Sequence, residues 1–545
     1  MTYVSVVSVT RIRMEQSKTG LLLCRIRQLT ADPCLKGFQM GPAKEQGMAR
    51  FKWQICATAL LAAAVSSPIE ADDLADLKAR LDAIERENNQ LREDLNAMKQ
   101  FDEEIVGRMS ELGNTVDGKA DGQAEDPSSM SSRWNHGFEA ATKDKRFRFH
   151  LGGRVQFDTV FLEEDPAFYA GTGPGGATIT DQDAFYFRRA RLRADGTMYE
   201  TIDWCVEFDF VNSINDDPGA PAPGNVPSER NIIGIPAPTD LWLTFREVPL
   251  VGNVRVGNCK EPIGLEHLHG SRYLDFLERS FNQDLFYGSF NSGFAPGVLF
   301  FDNWSEEHGT WSTGFFKNTS NVFAYGLGDG EYAWTSRVSY LAWYEDDGRY
   351  LAHVGLSGSL RDPNNGTQRY RTRGSLRNGP GGLNPLLADT GTFVSSQTDI
   401  LNFETALQFD SLMVEAEYCI TQDHDTPSGD VSMCGWYAQA LYFLTSEHRE
   451  YERKTGVFGR VIPHQNFGEC GSLGAWQAGA RYSRANLIDG SIDGGELEDM
   501  TLGLNWFLNP NLKIQNNYIY TIRDAQLGPG SNNSYGYGMR LAWDF

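Results

Sequence analysis

The chain ends in Tyr535-Gly-Tyr-Gly-Met-Arg-Leu-Ala-Trp-Asp-Phe545, in which two kinds of side chain alternate strictly. Every second residue is large and apolar, and the residues between are small or charged. Successive side chains of a β-strand point to opposite faces, so this strand has one apolar face and one polar face. Its length and aromatic content are typical of a transmembrane β-barrel, whose outer surface contacts lipid. A soluble β-sandwich is the alternative that the pattern leaves open.

The composition of the 545-residue chain agrees with a barrel and excludes two other classes of protein. Its 56 glycines and 12% aromatic residues suit many short strands joined by turns. A helical membrane bundle is excluded, because each spanning helix needs about 20 apolar residues and the chain's only long apolar run is one short segment near residue 60. A net charge of -23 would repel the phosphate backbone of a nucleic acid, so nucleic-acid binding is not expected.

Segments of about ten alternating residues recur from Phe147 to the C-terminus. They predict an all-β transmembrane barrel of about sixteen antiparallel strands, and even numbers are expected for bacterial barrels. The predicted strands are 147–157, 184–195, 202–212, 238–246, 252–258, 296–303, 308–317, 333–344, 349–359, 399–409, 412–420, 434–444, 474–484, 498–508, 511–522 and 535–545.

The segments are separated alternately by tight turns and by long polar connections. Asp346-Asp347-Gly348 and Asn509-Pro510-Asn511 have the composition of tight turns and are predicted to face the periplasm. The long connections are expected to face outward or to fold into the bore; they are 158–183, 213–237, 259–295 and 360–398.

The region before the barrel predicts a signal, a helix and a linker. The stretch from Met48 has a basic start, an apolar core and small residues at its exit, which indicates a secretory signal peptide over 48–71. Residues 1–47 are therefore interpreted as an over-extended N-terminus. Apolar heptads with one core asparagine predict a coiled coil over 72–112, and so self-association. A single amphipathic helix packed on another domain is the alternative; residues 113–146 are predicted to be a linker.

Five cysteines follow the predicted cleavage point, and they are Cys205, Cys259, Cys419, Cys434 and Cys470. Their spacing fits no zinc or redox motif. Cys419 and Cys434 flank one predicted hairpin and could pair in an oxidising compartment. No nucleophile motif or paired histidine spacing is evident, so the sequence predicts neither an enzyme nor a cofactor or metal.

Three arginines alternate along the second predicted strand, Arg189, Arg191 and Arg193. Each would cost about 2–4 kcal/mol on the lipid face near the membrane midplane, so all three are expected to line the lumen. Like charges at this spacing repel unless a negative group lies between them. A passing anion is one candidate for that group, and the carboxylates of Glu207 and Asp209 on the next strand are the other.

Two of the long connections carry further basic residues. The connection 259–295 has short helical patterns, and a polar insert of this length is typical of a loop that narrows a pore. The connection 360–398 is rich in arginine; a solvated surface loop is the usual explanation, and intrusion into the bore is the alternative. The candidate anion contacts in these two connections are Lys260, Arg272, Arg279, Arg371 and Arg373.

Several motifs occur in order along the chain: Arg188-Arg-Ala-Arg-Leu-Arg193, Val256-Gly-Asn-Cys-Lys-Glu-Pro262, Phe276-Leu-Glu-Arg-Ser280, Tyr370-Arg-Thr-Arg373 and Gly474-Ala-Trp-Gln-Ala-Gly-Ala-Arg-Tyr-Ser483. Through them the chain resembles the phosphate-selective porin O and P family over about residues 147–545. The resemblance implies a trimeric, sixteen-stranded outer-membrane barrel with a basic constriction that passes anions in single file. It also implies that the coiled coil is a periplasmic appendage outside the barrel.

Together these features predict a porin in the outer membrane of a Gram-negative-type bacterium. Small anions such as phosphate would diffuse passively through its water-filled bore, and the barrel would contact membrane lipid as a homotrimer. One alternative is a general diffusion porin for small hydrophilic solutes, with the lumen arginines paired to acids. The other is a structural tether, in which the coiled coil contacts peptidoglycan and the barrel is its anchor.

Overall fold

The computed structural model describes residues 129–163, 168, 169, 172, 183–211, 236–287, 293–317, 332–377, 384–524 and 533–545. The predicted signal peptide and coiled coil lie outside the described residues. Within them, sixteen strands form one closed antiparallel sheet in which each strand pairs with the next and the last pairs with the first. The predicted barrel and its strand number are confirmed. No described helix has the length and apolar character needed to cross a bilayer.

All sixteen strands overlap the predicted segments, and most extend a few residues further. They are β1 (Phe147–Leu162), β2 (Ala184–Met198), β3 (Ile202–Asp209), β4 (Ala237–Val248), β5 (Gly252–Lys260), β6 (Phe294–Trp304), β7 (Gly309–Lys317), β8 (Tyr332–Glu345), β9 (Tyr350–Arg361), β10 (Gln397–Phe409), β11 (Leu412–Thr426), β12 (Gly429–Phe443), β13 (Ala475–Asp489), β14 (Ile492–Asn509), β15 (Leu512–Asp524) and β16 (Asn533–Asp544).

Strand β16 closes the barrel against β1 and has the predicted two faces. Tyr535, Tyr537 and Leu541 are exposed on the outer face, whereas Arg540 is fully buried on the inner face. After β16, the main chain of Phe545 continues the pairing with two hydrogen bonds to Gly153 on β1, of 2.7 and 3.1 Å. The apolar row therefore faces outward and the polar row faces the bore.

A hairpin of two short strands, Met130–Trp134 and Phe138–Thr142, precedes the barrel. Strand β1 begins beyond the point where β16 ends, and its first residues pair with this hairpin instead. The changeover lies at Gly152, where a Cβ would come within 2.5 Å of the Phe545 carbonyl oxygen, so glycine is required there. Residues 113–146 are predicted to be a linker throughout, but the last part of this range forms the hairpin. It does so because the first residues of β1 provide a pairing partner.

The connections differ from the predicted alternation at three places. Six tight turns lie at one end of the barrel and most long connections lie at the other. The connection 444–474 lies at the tight-turn end although it is long. At the opposite end, the connections 427–428 and 490–491 are only two residues each. The expectation that long connections belong to one end is therefore wrong for 444–474.

Described parts of several connections pack inside the bore and form apolar clusters there, and two of these connections frame the cavity described below. The first is 261–293, called the insert below, and the second is 444–474. Phe276 and Leu265 of the insert pack in one buried cluster with Phe458 of the second connection. Apolar wall residues such as Leu341 and Leu441 belong to the same cluster. The connection between β9 and β10 also reaches the bore, where Leu376 packs on Leu277 of the insert, so the core lies between the inward connections and the wall.

Cys419 and Cys434 do not form the disulfide that their positions left open. All five in the described residues are free. Cys419 is buried on the inner face of β11, whereas Cys434 belongs to the outward-facing row of β12. Neighbouring strands place them close in register but on opposite sides of the wall, so their thiols point apart.

Candidate functional site

The bore contains a cavity of about 660 Å³ between the insert and the tight-turn end of the barrel. Twelve arginine and lysine side chains line it, against four carboxylates. The basic residues are Arg148, Arg154, Arg189, Arg191, Arg193, Arg255, Lys260, Arg272, Arg279, Arg337, Lys454 and Arg460. The cavity wall is therefore rich in cations although the whole chain carries a net charge of -23.

The cavity brings together six of the eight predicted anion contacts, namely Arg189, Arg191, Arg193, Lys260, Arg272 and Arg279. Arg371 and Arg373 are elsewhere. Both are buried within the connection between β9 and β10, where Arg371 pairs through a short strand with Asp389. They are not among the residues that line the cavity.

The wall arginines of β2 are held by carboxylates of the same region. Arg191 donates to Asp209 at 2.8 Å and to Glu207 at 3.3 Å. Arg193 donates to Asp195 at 3.0 Å. Arg191 is only 6% exposed. The ion-pair alternative to a passing anion is therefore present in the structure for these side chains.

Strand β2 also brings in an arginine that strict alternation places on the lipid side. A β-bulge opposite Gln156 and Phe157 inserts Arg188 as an extra residue on β2, so both Arg188 and Arg189 turn inward and are buried. The sequence contained one sign of it, since two consecutive arginines cannot both avoid lipid on a regular strand.

Glu278 of the insert is the common partner of three wall arginines. Its carboxylate lies 2.8 Å from Arg188 and 3.3 Å from Arg189 on β2, and 3.0 Å from Arg540 on β16. Burial alone would raise the pKa of this carboxyl, but the three guanidinium groups outweigh it and hold the pKa well below its usual range. The ionised carboxylate therefore fastens the insert to β2 and β16, the two strands that flank β1.

The other side of the insert is fastened to β11 and β13. The Glu417 carboxylate accepts the main-chain N–H groups of Leu265 at 2.9 Å and Glu266 at 2.8 Å. The Glu266 carboxylate in turn accepts a hydrogen bond from Arg481 at 3.1 Å. With both sides attached to the wall, the insert crosses the bore as a fixed partition.

Lys260 and Arg279 stand where the insert meets the cavity, and main-chain carbonyls hold both. Lys260 donates to the carbonyls of His267 and, at 3.1 Å, of His269. Arg279 donates to the carbonyls of Glu266 at 2.8 Å and of His269 at 2.6 Å. An ammonium has three donors and a guanidinium five, so each side chain retains donors after these contacts.

The two histidines of the insert have pKa values well below the usual range. Burial lowers the pKa of His267 well below its usual range, and the nearby Lys260 and Arg279 lower it further. The pKa of His269 is lowered by burial and then by Arg449 and Arg279. Neither imidazole therefore adds positive charge at the insert.

Three of the cavity cations differ from the rest in their partners. Within the described part of the chain, no carboxylate lies within ion-pair distance of Arg255, Lys260 or Arg279, and each is partly exposed. The other nine each have a carboxylate partner within 4 Å. The basic side chains that lack a carboxylate partner among the described residues are thus three of the twelve.

The connection 444–474 completes the site from the tight-turn end, although no anion contact was predicted in it. Its fully buried Arg449 forms an ion pair with Asp275 of the insert. Arg460 donates to Asp544 of β16 at 3.0 Å, and the Phe458 ring packs on His269 at 5.8 Å between centroids. The two inward connections therefore support each other.

A protein-family model and several known proteins are similar to this chain. A family model described as phosphate-selective porin O and P matches residues 167–541. Porin O of Pseudomonas aeruginosa is 24% identical over 437 residues, covering 75% of this chain and 91% of that protein. The outer membrane channel DcaP of Acinetobacter baumannii superposes with a TM-score of 0.44 at 12% identity, over 74% of this chain and 99% of that one. An anion-selective porin from Comamonas acidovorans gives 0.41 at 12% identity, over 73% and 100%.

Proposed function

Since the chain belongs to the phosphate-selective porin O and P family of outer-membrane porins, we propose that its barrel passes small anions such as phosphate by passive diffusion. The observation that supports this most directly is the pair of cations at the insert. Lys260 and Arg279 line the cavity, retain free donors and have no carboxylate partner among the described residues. An anion that reaches them exchanges part of its hydration shell for these donors.

The chemistry of the two side chains suits transport rather than retention. Lysine offers a compact point charge, and arginine offers planar paired donors that match a phosphate or carboxylate. Both are already engaged by main-chain carbonyls, so neither has to be reordered when an anion arrives. Conduction requires binding that is strong enough for entry and weak enough for release.

The ion-paired arginines have a different part in this proposal. Arg191 and Arg193 are neutralised by their partners, so they contribute a rigid polar wall and little net field. The acidity of the remaining chain does not oppose anion entry, because exposed charges are screened over about 8 Å at physiological salt. The local charge of the cavity then decides which ions enter.

The neutralised wall also favours a second candidate, a general diffusion porin for small hydrophilic solutes. In that case Lys260 and Arg279 would serve only to hold the insert. The homotrimer is a proposal that rests on the family resemblance. The peptidoglycan contact of a coiled coil is a proposal from the sequence, since residues 72–112 lie outside the described part.

The experiment that separates the two candidates is single-channel recording of the full chain in a planar bilayer. Under a KCl gradient we expect a reversal potential of the sign given by chloride permeation. Added inorganic phosphate is expected to reduce the chloride current in a saturable manner, because both anions compete for the same donors. A cation-selective reversal potential, or a chloride current that ignores phosphate, removes the anion-channel proposal.

A further inference from the structure

A second part of the cavity, away from the insert, combines a cation with aromatic rings. The guanidinium of Arg255 on β5 lies 3.9 Å from the ring centroid of Trp242 on β4 and 5.0 Å from that of Phe301 on β6. Its Nε donates to Thr244 Oγ1 at 3.0 Å. In the described residues, no carboxylate pairs with it. The four N–H donors of its two Nη atoms are therefore available to a ligand in the cavity.

The surrounding wall is aromatic to an unusual degree for a path of hydrated ions. The rings that line the same cavity are Trp242, Tyr273, Phe294, Phe301, Trp311 and Phe458. A hydrated inorganic anion gains nothing from contact with an aromatic face. An organic ligand with a planar apolar body removes both surfaces from water, which is favourable in proportion to the area buried.

This part of the cavity is separate from the cations at the insert. Arg255 and Lys260 are both on β5, five residues apart, which corresponds to about 17 Å along a strand. Arg255 lies toward the tight-turn end and Lys260 lies at the insert. A small anion bound at one of them does not touch the other.

We propose that Arg255, Trp242 and Phe301 form a second subsite, and that its ligands are planar organic anions of the aromatic carboxylate class. The carboxylate accepts two hydrogen bonds from the Nη edge of Arg255, and the ring packs against the aromatic wall. Stacking on Trp242 fixes the guanidinium plane before the ligand arrives, so little side-chain freedom is lost on binding.

The size of the cavity agrees with this ligand class. Pockets for small organic ligands span about 300–1,000 Å³, and the whole cavity, of which the subsite is one part, has about 660 Å³. The proposal deepens the proposed function. It rests on that function because anions must be able to enter the bore. The subsite adds aromatic carboxylates as a substrate class, which Lys260 and Arg279 alone would not favour over other anions.

The test is a comparison of blockers of the chloride current through the full chain in a planar bilayer. Benzoate is expected to block at a concentration about tenfold lower than acetate does, because only benzoate has a ring to pack. Arg255→Gln is expected to weaken the benzoate block by about tenfold or more, as for loss of a charged hydrogen bond. Block by inorganic phosphate, which is assigned to the insert, should change less than twofold in this variant.

Three further variants test the subsite independently of Arg255→Gln. Trp242→Leu should remove most of the difference between the blocking concentrations of benzoate and acetate. Arg255→Lys keeps the charge but loses the planar edge, so it should weaken the block by benzoate. Lys454→Gln changes an exposed lysine on the same cavity and should leave the block by benzoate unchanged. If Arg255→Gln forms no channels, Trp242→Leu and Arg255→Lys decide alone.

The subsite is refuted if benzoate and acetate block equally, or if benzoate block is the same in wild type and in the Arg255 and Trp242 variants. These outcomes differ from failure of the proposed function, which the reversal potential reports. A cation-selective channel whose benzoate block still depends on Arg255 would remove the anion-transport proposal and keep the subsite.

Discussion

Replacing Glu278 by glutamine is expected to lower the free energy of unfolding of the barrel by about 3–5 kcal/mol, as for removal of one partner from a buried ion pair. The change keeps the size of the side chain and removes only its charge. Arg188, Arg189 and Arg540 are each at most 6% exposed; Arg540 then keeps its ion pair with Asp158, whereas Arg188 and Arg189 lose the carboxylate that holds them. Buried guanidinium groups without compensation are the reason for the large effect. A urea titration of the barrel in detergent measures it.

Glu247→Gln is the matched control for this experiment. Glu247 lies near the end of β4 and is exposed, so the same chemical change there is expected to alter stability by less than about 0.5 kcal/mol. If Glu278→Gln and Glu247→Gln unfold at the same urea concentration, the insert is not held by its ion pairs. The hydrogen bonds to β11 would then be sufficient for its attachment.

The strands were predictable from the sequence because lipid imposes a pattern on every one of them. An outward residue must be apolar, so a period of two persists even in a strand such as β12, where polar and aromatic residues mix. The turn residues then set the boundaries to within a few positions. Nothing comparable acts on chain inside the bore. There, side chains contact other connections, and their pattern depends on partners far away in sequence.

The connection 444–474 illustrates that limit. Its Arg449 is fully buried against Asp275, which is 174 residues away in sequence. From the sequence alone, the charged stretch that contains Arg449 would be interpreted as solvent-exposed. Arg188 is a second example, because the bulge that turns it inward is visible only in the pairing of β1 with β2. In both places a distant contact decides the local structure.

The candidate site was predictable in its location and less so in its electrostatics. Basic residue types on a lumen face and in an insert pointed to the cavity, and six of the eight candidates line it. Which of them carry uncompensated charge could not be read from the sequence. Lys260 is held by main-chain carbonyls of His267 and His269, and Arg189 is held by Glu278, 89 residues away. Main-chain direction and distant partners set that difference.

The double variant Lys260→Gln with Arg279→Gln is expected to weaken phosphate inhibition of the chloride current by about 100-fold or more. Each charged hydrogen bond to an anion contributes about 1.5–3 kcal/mol, and about 1.4 kcal/mol corresponds to a factor of ten. Glutamine keeps an N–H donor for the carbonyls of His267, Glu266 and His269, so the insert retains part of its hydrogen bonding. The reversal potential should move toward that of a non-selective channel.

Two comparisons make this result specific to the insert. Lys454 lines the same cavity but is 76% exposed and lies 3.8 Å from Glu307, so Lys454→Gln removes the same charge from a screened position. It is expected to change phosphate inhibition less than twofold. Lys260→Arg with Arg279→Lys retains both charges and should recover most of the inhibition. Equal inhibition in the double glutamine variant and in wild type would assign anion selection to the ion-paired arginines of β2, against the argument that their carboxylates neutralise them.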